Sequence, residues 1–171
     1  MLGFHTYEEA GLELVDHANF STTNSVEIRC TAQQLTDALS GVDIWKEFVP
    51  QIHSVDWEGD PPFREGVRRT VGFGKDIVKE VFFKWDENEG IAFRVTEGTQ
   101  KNVAAMVEHY QFDVVDDNTT RLTWSLAMKM TGLRGLIAPL MARLAGKAMA
   151  GWLVKLKHMV EVDIGTGGGP T

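Results

Sequence analysis

The stretch MVEHYQFDVVDDNTTRLTWSLAMKM, residues 106–130, decides the fold. In its second half Leu122, Trp124, Leu126, Met128 and Met130 are apolar. Between them stand Arg121, Thr123, Ser125 and Lys129, with Ala127 the one exception. Successive side chains of a strand point to opposite faces, so this period of two reads as a strand with one buried face. DDNTT, residues 116–120, is turn chemistry, which makes the first half the antiparallel partner. Hairpin partners share faces, so Met106, Tyr110, Phe112 and Val114 turn inward and Glu108 goes with them. Val107, His109, Gln111 and Asp113 take the other face. A slip of one residue would bring His109 inside instead.

Working outward, the same alternation recurs upstream. NFSTTNSVEIRC, IHSVDW, GVRRTVGF, KDIVKEVFFKW, GIAFRVTEG and NVAAMVEHYQFDVV each read as strands separated by Gly, Asp, Asn or Pro, which with TRLTWSLAMKM makes seven. Consecutive hairpins, of which DENEG is a second clear turn, require an antiparallel sheet, because parallel pairing needs long crossovers. TAQQLTDALSG predicts a helix with Thr31 as N-cap and Gly41 as its stop, and VDIWKEFVP a second one closed by Pro50, with Ile44 and Phe48 one turn apart. Thr6 and Glu9 stand at capping-box spacing and predict a short N-terminal helix. From Leu133 to Val160 only Pro139 opposes helix, so a kink or a fresh start is expected there. Met141, Ala145, Ala148, Trp152, Leu156 and Met159 centre on one face of that helix, with Arg143, Lys147 and Lys157 opposite. The expected organisation is an N-terminal extension over residues 1–19, one domain over 20–161 and a flexible Gly-rich tail over 162–171.

Composition narrows the class. A chain of 171 residues with 43% apolar and 24% charged residues is one ordinary globular domain. No apolar run approaches the roughly 20 residues needed to span a bilayer, and the N-terminus lacks the pattern of a secretory signal. Cys30 is the single cysteine, which excludes an internal disulfide and leads to the expectation of a cytoplasmic protein. The net charge of −7 argues against nucleic acid as partner. Charge is unevenly distributed: residues 118–160 carry 7 bases and no acid. That segment either complements the acidic body of the protein or faces an anionic surface or an acidic partner, so a transient membrane-surface contact stays open.

One seven-stranded sheet, one face to bury and one large apolar helix leave few arrangements. Twisted sheets curl, so the sheet should wrap the last helix and leave unfilled space beside it. Here the chain resembles a known family. SVEIRCTAQQLTDALSGVDIWKEFVP looks like its opening strand, helix and Trp-containing segment. VFFKWDENEGIAFRV is similar to its strand, Trp-Asp turn and strand, and YQFDVVDDNTTRLTWSL to its paired strands. These stretches resemble the START-like (SRPBCC) superfamily, in its bacterial polyketide cyclase/dehydrase and lipid-transport branch, over about residues 22–161. The resemblance implies an α+β helix-grip fold, a seven-stranded curved antiparallel sheet wrapped around a long C-terminal helix, with two short helices after the first strand. These motifs are structural rather than catalytic, and the fold hosts carriers, cyclases and regulators alike.

Candidate site residues follow from the inward faces. Phe48, Trp57, Val71, Phe73, Phe93, Met106, Glu108, Tyr110, Phe112, Trp124 and Met128 line the expected cavity from the sheet side. Met141, Ala145, Ala148 and Trp152 line it from the helix. In KEVFFKW the pattern prefers Val81, Phe83 and Trp85 inward, whereas the resemblance favours Phe82, taking Glu80 and Lys84 along. An inward carboxylate must be paired, hydrogen-bonded or protonated, and three readings are open for Glu108: a bridge to Arg69 or Lys84, a solvated place at the rim, or a polar anchor or general base beside Tyr110. Glu108 and Tyr110 are therefore the candidate catalytic residues. His5, His17, His53, His109 and His158 show no metal-ligand spacing, and no glycine pattern fits a phosphate loop, so neither metal nor cofactor is expected. The expected function is binding of a hydrophobic small molecule: a lipid, a polyketide or another aromatic compound. A polyketide cyclase/dehydratase-type enzyme is the alternative, and an interaction module using the basic helix is a third reading.

Overall fold

The computed structural model describes residues 3–165. Its elements in chain order are β1 (His5–Thr6), α1 (Leu14–His17), β2 (Phe20–Ile28), α2 (Ala32–Leu39), α3 (Asp43–Phe48), β3 (Ile52–Trp57), β4 (Arg68–Phe73), β5 (Asp76–Asp86), β6 (Gly90–Gly98), β7 (Val103–Asp116), β8 (Thr119–Met130) and α4 (Gly132–Gly165). Strands β2 to β8 form one antiparallel sheet in the order β2-β8-β7-β6-β5-β4-β3. Every neighbour from β3 to β8 is a hairpin partner. The one long connection runs through α2 and α3, which carry the chain from the β2 edge to the β3 edge.

Local chemistry sets these boundaries. The Thr31 hydroxyl accepts from the Gln34 backbone N–H at 3.2 Å, and the Gln34 side chain accepts from the Thr31 N–H at 2.9 Å. This reciprocal cap satisfies two orphan donors at the start of α2, which then buries Leu35 and Leu39 one turn apart. In α3 it is Trp45, not Ile44, that is fully buried with Phe48, and the Trp45 indole N–H donates to the Leu39 carbonyl at 2.9 Å. Asp86 closes the β5–β6 turn by accepting from the backbone N–H groups of Asn88 and Glu89. Asp116 does the same for Asn118 between β7 and β8.

The N-terminal segment departs from the sequence expectation. No helix forms at Thr6–Glu9; His5 and Thr6 instead pair with Gly98 and Glu97 of β6. β6 and β7 pair only over Gly90–Arg94, and the chain wedges into the gap beyond. The Tyr7 N–H bonds Thr96 O on one side and the Glu8 N–H bonds Ala104 O on the other. A split sheet offers unpaired backbone groups, and their demand exceeds the small gain from an isolated capped turn. Gly98 makes room, since a Cβ there would lie 2.7 Å from the Tyr7 hydroxyl. Residues 5–8 are therefore part of the sheet rather than an appendage to it.

α4 is a single helix of 34 residues, about 50 Å long, that passes through Pro139 without a new start. It also runs on to Gly165, so residues 162–165 of the expected tail are helical, and 166–171 lie outside the described residues. Its buried stripe is Ala138, Ala142, Met149, Leu153, Leu156 and Val160, with Met141, Ala145, Trp152 and Met159 half-buried beside it. Ala148, expected inward, faces solvent. Spacings of three and four both keep a helical face, and Met149 rather than Ala148 follows Ala145 because its larger apolar side chain gains more from burial. Val114, also expected inward, is exposed, because the register shifts at Val114/Asp116 near the tip of the β7–β8 hairpin.

The β5 ambiguity resolves through a bulge. Phe82 pairs with Phe93, but Lys84 pairs with Ala92 and Trp85 with Ile91, leaving Phe83 as the extra residue. An inserted residue reverses the alternation. Glu80 and Phe82 therefore face inward before the bulge and Trp85 after it, where its ring meets Phe82 at 5.1 Å. Lys84 is turned out and pairs with Glu89 at 3.2 Å.

α4 comes closest to the sheet along β2. At Gly146 a Cβ would lie 2.5 Å from Thr22 Oγ1, whereas Gly151 has nothing within 4 Å. Alanine in a helix is favoured over glycine by about 0.5–1 kcal/mol. Gly151→Ala should therefore raise stability by about that amount in denaturant unfolding. Gly146→Ala should lower it, because the clash with β2 outweighs the propensity gain.

Candidate functional site

Because α4 rests on the β2 side, the concave face formed by β4 to β7 is not filled. A cavity of about 330 Å³ lies between the sheet, α3 and α4. Val71, Phe73 and Phe93 line it from β4 and β6, and Met106, Glu108, Tyr110, Trp124 and Met128 from β7 and β8. Met141, Ala145 and Trp152 close it from α4. Five expected lining residues are placed otherwise, one of them Ala148, which faces solvent. Phe48, Trp57, Phe82 and Phe112 belong to the solid core: Phe48 packs edge-on against Trp124 at 5.9 Å, and Trp57 stacks on Phe63 at 4.3 Å. A face period tells which way a side chain points but not whether a neighbour already fills the space there. A second depression, between Asn19–Thr22 and Pro139–Arg143, is shallow and holds no buried polar group.

Several wall residues escaped the sequence reading of the site. Trp45, Val49 and Met149 are among them, and the first would have followed from its i, i+3 spacing to Phe48. Leu126 and Met130 lie on the apolar face of β8 already identified and reach the wall.

Sheet register assembles a polar band across this cavity. Arg69 of β4 stands opposite Glu80 of β5, and Phe93 of β6 opposite Glu108 of β7. The Arg69 Nε donates to Glu80 Oε2 at 2.5 Å, and Arg69 is only 1% exposed. Its guanidinium also lies 4.0 Å from the Trp45 ring centroid and 4.8 Å from that of Phe93, cation–π contacts that offset part of its lost hydration. Arg69 Nη1 is buried without a hydrogen-bond partner. The bridge to Arg69, one of the three open readings for Glu108, thus forms at Glu80 instead, because direct cross-strand opposition holds two side chains closer than any diagonal.

Glu108 is buried and not at a solvated rim. Its Oε2 accepts from the Tyr110 hydroxyl at 2.9 Å and from the Trp124 indole N–H at 2.8 Å. Tyr110 and Trp124 are cross-strand partners whose rings stack at 5.2 Å, so the aromatic pair presents both donors to one oxygen. Among the described residues Oε1 accepts no hydrogen bond, and it is the oxygen left to carry a proton. Burial pushes the Glu108 carboxyl up to about 7, the nearby Glu80 charge adds to the rise, and the two donors and Arg69 oppose it. Burial, with the Glu108 charge adding, raises Tyr110 well above its ordinary value, so it stays a donor. His109 points to the other face and is lowered by burial. Burial pushes the Cys30 thiol up to about 11, which marks it as an inert core residue rather than a nucleophile. No group of three or more His, Cys, Asp or Glu stands together among the described residues, and no helix there is long and apolar enough to cross a membrane.

The raised Glu108 has a consequence for stability. Between its ordinary value of 4.5 and the folded value of about 7 the native state holds a proton that the unfolded chain has released. The stabilisation is complete below pH 4.5 and lost as pH rises through 7, by about 3 kcal/mol. Glu108→Gln keeps the shape of the protonated acid and cannot ionise. The stability difference between variant and wild type should shift in favour of the variant by about that amount from pH 5 to pH 8, measured by urea unfolding. An unchanged difference would mean that the carboxyl titrates as if solvated.

Comparison with known proteins fits this architecture. The family model described as polyketide cyclase / dehydrase and lipid transport matches residues 19–161. An uncharacterised protein of Mycobacterium tuberculosis is 31% identical over 126 residues, which cover 73% of this chain and 75% of that one. A START superfamily protein from Mycobacterium smegmatis superposes with a TM-score of 0.67 at 15% identity, over 82% of this chain and 97% of that one. The Zhui aromatase/cyclase of a Streptomyces species gives 0.63 at 19% identity, over 87% and 98%. At such identities the structures share the fold and no more. The curved sheet gripping one long helix and the family match across it lead to one conclusion: this chain belongs to the polyketide cyclase/dehydrase and lipid transport family and has its START-like, helix-grip fold.

Proposed function

We propose that the protein binds a hydrophobic small molecule, a lipid, polyketide or other aromatic compound, between the sheet and α4. One observation carries this reading: the cavity has apolar and aromatic walls and a cluster of buried polar groups at one place, Arg69, Glu80, Glu108 and Tyr110. Ligand sites are typically concave, mostly apolar and equipped with a few polar groups that orient the guest. Met106, Met128, Met141 and Met149 give the wall a deformable surface that tolerates guests of different shape. Tyr110 spends its hydroxyl on Glu108, so the groups left to meet a guest oxygen are Oε1 of protonated Glu108 and the guanidinium of Arg69. A guest with an apolar body and a carbonyl, phenol or carboxyl end matches that layout. The family match supports the same class of ligand.

A second reading, a cyclase- or dehydratase-type activity on a β-ketone chain, is favoured by Glu108 itself. A carboxyl with a value near 7 can both take and return a proton at neutral pH. In that mechanism its carboxylate removes a proton from the carbon between two carbonyls. Arg69 stabilises the enolate oxygen that forms. The enolate carbon then attacks a second carbonyl carbon of the same chain, closing a C–C bond as that C=O π bond opens, and Glu108 returns the proton to the resulting alkoxide.

Two measurements test these readings. A panel of fatty acids, flavonoids and aromatic polyketides should contain a compound that stabilises the protein by about 2.7 kcal/mol at a hundredfold excess over its dissociation constant, a Tm rise of roughly 5–10 °C. Ala145→Leu, which fills the helix side of the cavity, should abolish that rise; a panel with no stabilising member would defeat the binding reading. For the enzyme reading, Glu108→Gln should retain binding while turnover of any accepted substrate falls at least about a hundredfold. Undiminished turnover would remove Glu108 as the base.

A further inference from the structure

The outward face of α4 is apolar where an exposed helix face should be polar. Leu133, Leu136, Ile137, Leu140 and Leu144 are between 52 and 84% exposed. Their spacing of three and four places them in a single row on the side of α4 opposite Ala138, Ala142, Ala145 and Met149. The row spans 12 positions, about 17 Å, and Lys147 follows its end. Scattered exposed leucines are ordinary, but a contiguous row marks an interaction surface.

We infer that this row is a docking surface for an anionic lipid bilayer, with α4 lying in the membrane interface along its first four turns. Charge identifies the partner. Arg143 and Lys147 flank the row on one side and Arg134 on the other, and none of the three makes an ion pair or hydrogen bond among the described residues. Lys155 and Lys157, farther along the helix, are instead tied to the Glu47 and Glu27 carbonyls. No acid occurs from residue 118 to residue 160, although the whole chain carries −7, so α4 is the part of this acidic protein that an anionic surface attracts. Leucines sinking below the headgroups while long basic side chains reach back to the phosphates is the arrangement of an interfacial helix. Each base near such a surface contributes about 1 kcal/mol. A second copy of this chain is a poorer occupant, because a two-fold contact through the row would bring both sets of like charges into one interface. The opposite face of the same helix closes the cavity, and Arg134 reaches its wall, so docking sets that end of the cavity beside the headgroups.

The test is co-sedimentation of the full chain with phosphatidylcholine vesicles, with and without about a third of phosphatidylserine, at low and high salt. Wild type should bind the anionic vesicles and release at high salt. Leu136→Glu with Leu140→Glu should weaken binding at least about tenfold. Arg143→Gln with Lys147→Gln should remove most of the preference for phosphatidylserine. None of these four side chains touches the cavity, so the ligand-induced thermal shift should persist in every variant and report that the fold is intact. Wild type left in solution with both kinds of vesicle would overturn the inference, as would binding that neither double variant changes. Conversion of a wild-type dimer to a monomer by the leucine variants would overturn it in favour of self-association. Loss of vesicle binding with the thermal shift retained would leave the cavity reading standing, and the reverse result would leave the docking surface standing.

Discussion

One helix cannot fill the hollow of a strongly curled seven-stranded sheet. A sheet twists by about 20–25° per strand, so its far strands rise away from any rod laid along one edge. α4 packs on β2, where Gly146 allows near backbone approach to Thr22, and that seat fixes its distance from β4, β5 and β6. The cavity is the geometric remainder of this arrangement. Everything assigned to the site depends on that remainder staying open.

The remainder is not uniformly oily. Three ionisable side chains, Arg69, Glu80 and Glu108, sit in it at depths where unpaired charge costs several kcal/mol. Two of them satisfy each other across adjacent strands, and the third is held by a tyrosine and a tryptophan that share one of its oxygens. A well-packed apolar set would be expected to stabilise the fold at least as well as the buried pair. Polar groups kept inside at such a cost are the ones that a guest with a polar end would meet under the proposed function.

The same helix carries the two faces on which the two proposals rest. Along its first turns α4 carries two apolar stripes with Arg134 and Arg143 between them: one closes the cavity and the other is bare to solvent. Farther on, lysines tied to backbone carbonyls of the body take over the outer side. A single amphipathic stripe would have served for packing alone. The second stripe is the face that the proposed docking would use.

Much of this was legible in residue order. Alternation in TTRLTWSLAMKM gave the strands and the inward direction of Glu108, the turns DENEG and DDNTT gave the hairpins, and Thr31 gave the start of α2. These are local properties, set by backbone period, capping and turn chemistry, and they survive whatever the chain packs against. The partner of Arg69, the bulge that turned Trp85 inward and Lys84 outward, the insertion of Tyr7 between β6 and β7, and the choice of Met149 over Ala148 were decided by tertiary structure. Each depends on the register between segments far apart in the chain or on space left by a distant neighbour. So does the cavity itself, since a row of inward side chains reads the same whether it meets another wall or an empty volume.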